Sequence, residues 1–379
     1  MAGLVLALLV PSASSAAAAP RSGLASVPVG VRVAPGVGTI TVRWDPPASH
    51  GSSPITGYVV TSSPAGRTCS SATLSCTVTG IVDRTPWRFA VAATNGSGTG
   101  ARSPLTTPLH SVVVVVVAGQ SNATGEESFA VDPVTHRSVF DGTSGADTRS
   151  YLSFAGPYWH PAGIPPAPLD FPQVPAADHA RAIFGPEVGL ARGLWAHGDR
   201  DLVVDKVVSD GSSLAIDWRP NGQLFDSLVS KTGSLLEWAV SRGWSPTIGG
   251  IFWLQGETDA LHATEAASYR RNLTAFIVAL RAALPCAPHT PFVLGETTIA
   301  PWVRLTEHHH GCLPSACAAL LAQDAEVRAA QVDVAATVSD VFRTDTAKLP
   351  RAPLQLHLSA AGELDLGAAF ASIAATRLT

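Results

Sequence analysis

Lysine is almost missing from this 379-residue chain: Lys206, Lys231 and Lys348 stand among 25 basic residues, and only 14% of all residues are charged. With a net charge of -4 and no block of like charges, nothing resembles the basic footprint of a nucleic-acid binder. Runs of apolar residues long enough to cross a bilayer, roughly 20 residues, are also lacking. The leader MAGLVLALLVPSASSAAAAP has a short apolar core followed by small residues. It reads as a signal peptide over residues 1–19, although it lacks a basic start. The five cysteines include no paired CxxC pattern, which argues against a zinc site. Cys69 and Cys76 are close enough to pair across a loop. Among Cys286, Cys312 and Cys317 one is left over, and either Cys312–Cys317 or a bridge from Cys286 satisfies the arithmetic. A hydrophobic content of 46% predicts compact cores in place of disorder.

Two patterns divide what remains. Over residues 24–107, short alternating runs (TITVRW, ITGYVVTSS, LSCTVTG, WRFAVAATN) are separated by Pro, Gly, Ser and Asn clusters, as in a small antiparallel sandwich. Beyond the proline-rich stretch at 104–108, strands alternate with helices. SVVVVVVAG, DLVVDKVVSDG, IGGIFWLQG and TPFVLGE read as strands. FDSLVSKTGSLLEWAVSRG and ATEAASYRRNLTAFIVALRAAL read as helices. In the latter, Tyr269, Leu273, Phe276, Ile277 and Leu280 recur at the helical period. This order predicts an α/β fold over residues 110–379, a three-layer sandwich on a parallel sheet. Residues 126–180, rich in Pro, Gly and aromatics, read as an irregular pocket rim carrying Tyr158 and Trp159.

The six valines at 112–117 lead into AGQSN. An unalternated β-branched run means a strand buried on both faces, ending at the sheet edge where ligands bind. Gly119 permits a sharp turn there, which makes Ser121 a candidate nucleophile. FGPE at 184–187, WLQGETD at 253–259 and LQLHLSAAG at 354–362 stand at other expected strand or helix boundaries.

With GQSN, these blocks resemble the GDSL/SGNH hydrolase superfamily over residues 110–379, and within it the carbohydrate acetylesterase branch that includes sialate O-acetylesterase-like proteins. Residues 24–107 resemble a fibronectin type III domain through Trp44, Tyr58 and RFAVAATNGSG, with Trp87 where the family usually has the corner tyrosine. The resemblance implies a secreted serine esterase that removes O-acetyl groups from a carbohydrate, of sialate or xylan type, with no cofactor and no metal. Ser121 is the implied nucleophile and His357 the base. The implied oxyanion donors are the backbone N–H groups of Ser121 and Gly185 and the side chain of Gln255. Asn122, Ser212 and Ser213 are implied contacts of the turn and substrate cleft, and Glu257 and Asp259 are acidic neighbours that hold loops. Ala123 replaces the methionine common in the first block. The run Glu307, His308, His309 and His310 reads as a solvated surface feature.

One departure matters. Where the family commonly has Asp-x-x-His, this chain has Leu354, Gln355 and Leu356 before His357. Three outcomes follow: Asp345 or Glu257 takes the acid's place; a backbone carbonyl holds the imidazole in a Ser–His dyad; or the domain has lost activity and only holds glycan. Retention of the serine, the histidine and the donors favours the first two.

Overall fold

The computed structural model describes residues 23–81, 85–129, 151–155, 167–168, 183–198, 202–285, 289–309 and 311–377. The leader, Tyr158, Trp159, Cys286 and His310 lie outside them. The chain divides into two compact units, the larger of which takes in Ala34–Ile40 and Thr79–Trp87 as well as Pro108–Thr379.

The N-terminal all-β region is built from β1 (Val29–Gly36), β2 (Thr39–Asp45), β3 (Ile55–Ser63), β4 (Thr68–Ser71), β5 (Ser75–Thr79), β6 (Arg88–Asn95) and β7 (Gly98–Thr99). One sheet has the order β1-β2-β5 and the other β4-β3-β6-β7, the latter antiparallel throughout. Alternation in β2 buries Ile40, Val42 and Trp44, and the Trp44 indole meets the Tyr58 ring at 5.2 Å. A disulfide joins Cys69 on β4 to Cys76 on β5.

In the larger unit a seven-stranded sheet runs β10-β9-β11-β8-β12-β13-β14. These are β8 (His110–Gly119), β9 (Tyr151–Ala155), β10 (Ala167–Pro168), β11 (Leu202–Val208), β12 (Trp244–Leu254), β13 (Phe292–Glu296) and β14 (Val341–Asp345). All neighbouring pairs are parallel except β10 with β9. The helices are α1 (Ser121–Thr124), α2 (Glu187–Ala196), α3 (Gln223–Ser241), α4 (Ala263–Ala283), α5 (Ala300–His308), α6 (Pro314–Thr337) and α7 (Ala360–Ala375). A second disulfide, Cys312–Cys317, closes the entry to α6.

The valine run explains why β8 is central. Val114, Val116 and Ala118 pack on one face with α3, α4 and α6, while Val113, Val115 and Val117 pack on the other with α2 and α7. Each layer is closed by aromatics. Trp218 stacks edge-on against Trp253 at 5.1 Å on the first face, and Phe252 meets Phe370 at 5.2 Å on the second. Because the chain leaves β8 towards β9 and β11 on one side and towards β12 and β13 on the other, the carboxyl end of β8 is the switch point of the sheet.

One polar group sits within this frame at a cost. Asp205, in the middle of β11, is 1% exposed, and burial raises its carboxyl to about 6 against an ordinary value of 3.8, opposed by the Thr232 hydroxyl at 2.7 Å and by Lys231. The folded state therefore holds this proton more tightly than the unfolded chain does. The stabilisation is complete below about pH 4 and is lost as pH rises through about 6. Asp205→Asn, which keeps an acceptor for Thr232, is expected to raise the melting temperature at about pH 8 and to lose that advantage near pH 4. The difference corresponds to about 3 kcal/mol, read by thermal unfolding at the two pH values.

Candidate active site

Gly119 ends β8 at φ +147°, and a Cβ there would lie 1.9 Å from the Leu254 carbonyl oxygen, so only glycine allows β8 and β12 to close together at this point. Gln120 remains extended. Its N–H donates to Leu254 O at 3.0 Å, and its side-chain oxygen accepts from Gly256 and Thr258 N–H, both at 3.4 Å. Ser121 then opens α1, which stops after one turn at Gly125 in the left-handed region. The turn brings the serine hydroxyl to the carboxyl edge of the sheet, 7% exposed.

His357 arrives from the far end of the chain, on the loop before α7. Its Nε2 lies 3.2 Å from Ser121 Oγ, and its Nδ1 lies 3.2 Å from Glu127 Oε2. The network assigns the tautomer: Nδ1–H donates to the carboxylate, leaving the Nε2 lone pair to accept from the serine hydroxyl. Glu126 Oε2 lies 3.4 Å from the same Nε2. Burial, hydrogen bonding to Asp210, and the charges of Asp210 and Glu127 raise the Glu126 carboxyl to about 7.

The backbone around His357 is held from three sides. Ala352 N–H donates to His357 O at 3.0 Å, Arg351 Nη1 to Leu356 O at 2.9 Å, and Leu358 N–H to Asn122 Oδ1 at 2.9 Å. Gln355 takes φ +62° in the bend between Ala352 and His357, and Leu354, the position of the missing aspartate, is 61% exposed. The carboxylate comes instead from the loop that carries Ser121. Neither acid expected from the sequence meets the ring. Asp345 is bound by Arg328 at 3.1 Å on β14. Glu257 accepts from Asn122 Nδ2 at 2.6 Å, and burial raises its carboxyl.

Several other residues lie where the sequence led, but their polar groups are already engaged. Gly185 N–H donates to Glu187 Oε1 at 2.9 Å, so it is not held ready for an oxyanion. Gln255 is fully buried; its Nε2 donates to Ser212 O at 3.0 Å and Asp259 Oδ2 at 2.5 Å, which corrects its assignment as a donor to the substrate. The Ser121 N–H belongs to the first turn of α1, where backbone donors have no partner within the helix. Asn122 is 4% exposed and uses both ends of its amide on protein, linking Ser121's turn to Glu257 and Leu358 in place of touching sugar. Ser212 accepts from Trp218 Nε1 at 2.7 Å and donates to Ser209 O at 2.5 Å, while Ser213 donates to Glu265 at 2.7 Å. Both serines are buried loop anchors, not sugar contacts. Asp259 caps the same loop through Leu214 N–H at 2.9 Å. Glu307, His308 and His309 lie at the end of α5 and the residue after it, and among the described residues no group of three or more His, Cys, Asp or Glu could hold a metal. No described helix is long and apolar enough to cross a membrane.

The residues missed from sequence are Glu127 and Glu126, whose signal was a glutamate pair separated by three residues from GQSN in a chain without the usual aspartate. Beneath them, fully buried Lys206 donates to Thr124 O at 2.8 Å and pairs with Glu187 at 2.9 Å, bracing the end of α1 against the Gly185 loop.

Solved structures are similar to this chain to different degrees. A structure from Arabidopsis thaliana is 20% identical, with a TM-score of 0.50, over 72% of this chain and 100% of its own; the likeness is one of fold. A carbohydrate acetylesterase from Xanthomonas citri is 18% identical with a TM-score of 0.49, covering 94% of this chain and 73% of its own. NanS is 16% identical with a TM-score of 0.47, covering 71% and 97%. No curated protein matches the chain. The fibronectin type III family model matches residues 26–108. The model described as carbohydrate esterase, sialic acid-specific acetylesterase, matches residues 111–376, which include Ser121, Glu127 and His357. The chain therefore belongs to this carbohydrate esterase family and is a carboxylic ester hydrolase.

Proposed function

We propose that the protein is a secreted acetylesterase that removes O-acetyl groups from a carbohydrate through an acetyl-Ser121 intermediate. The observation that carries the mechanism is the relay from Glu127 through His357 to Ser121, with both contacts at 3.2 Å. As Ser121 Oγ attacks the acetyl carbonyl carbon, its proton passes to His357 Nε2. Glu127 stabilises the resulting imidazolium and fixes the ring orientation. The carbonyl oxygen becomes an oxyanion facing the Ser121 N–H, and a donor in such a place is worth ~3 to 4 kcal/mol in comparable sites. Collapse breaks the bond to the sugar oxygen, which takes the Nε2 proton and departs as an alcohol. Water, activated by the same nitrogen, then attacks the acetyl-serine and releases acetate.

The leader at residues 1–19 and the disulfides Cys69–Cys76 and Cys312–Cys317 support secretion. The absent aspartate is the best support for a decayed, glycan-holding cleft, and the Glu127 carboxylate 3.2 Å from His357 Nδ1 supports the working esterase instead.

Two outcomes test the mechanism. Ser121→Ala is expected to abolish acetate release from acetylated glycan and from 4-nitrophenyl acetate, and to abolish fluorophosphonate labelling; retained labelling at another residue would remove Ser121 as nucleophile. Glu127→Gln is expected to lower kcat by about tenfold to a hundredfold. That is less than the ~10⁴ lost with the carboxylate of a buried serine triad, because Glu127 is 31% exposed and water shares its work. Glu127→Asp should restore only part of the rate, and a Gln variant with unchanged kcat across the pH profile would assign His357 to a dyad.

A further inference from the structure

Ser121 Oγ and Glu126 Oε2 converge on the same nitrogen of His357, at 3.2 Å and 3.4 Å. That nitrogen must deliver its proton to the departing alcohol as the ester C–O bond breaks, so the leaving oxygen has to come within hydrogen-bonding distance of it. The alcohol side of the substrate consequently passes beside the Glu126 carboxyl.

Glu126 is not a loose surface side chain. It is bonded to Asp210, whose Oδ1 accepts from Thr124 Oγ1 at 2.5 Å, and Glu126 N–H donates to Ser121 O at 3.1 Å. Glu126 is therefore tied to the turn of Ser121 through its backbone and to Asp210 through its side chain, which is 40% exposed. Glu127 adds a second carboxylate next to it. The described cations close to this region are turned to other partners. Lys206 is fully buried against Glu187 and Thr124 O, and Arg351 donates to Leu356 O behind the imidazole.

We propose that Glu126, braced by Asp210, is a specificity-determining residue for the alcohol half of the ester: it hydrogen-bonds a free hydroxyl neighbouring the acetylated oxygen and disfavours a leaving sugar that bears a carboxylate. The substrate class is then an acetylated neutral sugar. This rests on the acetylesterase reading above and goes beyond it, since the same acetyl group on different alcohols should be handled differently. The Glu126–Asp210 pair, with Glu127 beside it, gathers three carboxyls at one place. A sugar carboxylate entering beside it meets like charge in a partly desolvated place, whereas a hydroxyl meets a strong acceptor.

The test uses the full chain and three acetyl esters: 4-nitrophenyl acetate, a neutral monosaccharide acetate with a free vicinal hydroxyl, and O-acetylated sialic acid. The wild type is expected to show kcat/KM at least tenfold higher for the neutral sugar than for the sialic acid. In Glu126→Gln the ratio of kcat/KM for the neutral sugar to that for the aryl ester should fall about tenfold, mainly through KM, while the ratio for the sialic acid to the neutral sugar rises. Asp210→Asn should move both ratios in the same direction and serves if the first variant does not fold. A wild-type preference for the sialic acid, or an equal loss on all three esters in both variants, would overturn the assignment of Glu126. Failure of the acetylesterase reading is distinct: none of the esters would be hydrolysed and fluorophosphonate would leave Ser121 unlabelled, which removes both proposals together.

Discussion

The hydrogen bond between Ser121 and His357 joins residues 236 positions apart, and the proposed chemistry depends on those two loops keeping their register. Asn122 is the group that keeps it. Its amide nitrogen donates to Glu257 on the loop after β12, and its oxygen accepts from Leu358 N–H on the loop before α7. A single side chain, next in sequence to Ser121, thereby ties three strand-end loops into one body. Burial strengthens the link, since an amide and a carboxylate out of water have no substitute partners and losing either would strand a buried polar group. Attachment through backbone also explains why the imidazole does not need an acid three residues upstream: the peptide carrying it is fixed by Ala352, Arg351 and Asn122 before any carboxylate touches the ring.

Below this clamp lies an ionic layer that sets the geometry of the neighbouring loop. Lys206, in β11, is fully buried among valines, and such a charge persists only with close compensation. Glu187 supplies it, and the Thr124 carbonyl completes it. Glu363 on α7 faces the same layer and is also fully buried; desolvation and the charge of Glu187 push its carboxyl well above the ordinary range. Glu187 then uses its other oxygen on Gly185 N–H. The Gly185 N–H, expected from the sequence resemblance to face an oxyanion, thus serves the loop in this chain, and the Ser121 amide is the member of the expected donor set without such a partner among the described residues.

How much of this could be read in advance followed from how strongly burial imprints on sequence. The valine run announced β8 because both of its faces are covered, and the apolar stripe from Tyr269 to Leu280 announced α4 for the complementary reason, one buried face. Strand β14 escaped notice because it is short, half exposed and polar. The longest helix, α6, escaped because its buried face includes Asp324 and Gln331, which hydrogen-bond the backbone at Ile299 and Thr297 and so break the apolar period. At the site, Ser121 and His357 were legible as motif residues. Glu127 was not, for its role arises from a left-handed turn at φ +63° that only the fold reveals. The fates of Gly185 and Gln255 were written closer at hand: their carboxylate partners, Glu187 and Asp259, stand two and four residues further on in the same quoted blocks.

Relocating the acid changes more than its address. An aspartate three residues before the histidine would move with the histidine, so the pair could drift from the serine while staying intact. Glu127 sits on the loop that carries Ser121, whose carbonyl accepts from Glu126 N–H, and the loop is closed again by Ser128 N–H donating to Gly125 O. The imidazole is therefore gripped at both nitrogens by one short segment, residues 121–127, and approaches it as a single guest of that segment. Under this arrangement the orientation of His357 is set relative to the nucleophile directly, and the loop bearing the histidine needs only to deliver the ring. A position such as Leu354 is then released from chemistry and can face solvent, which is where it is found.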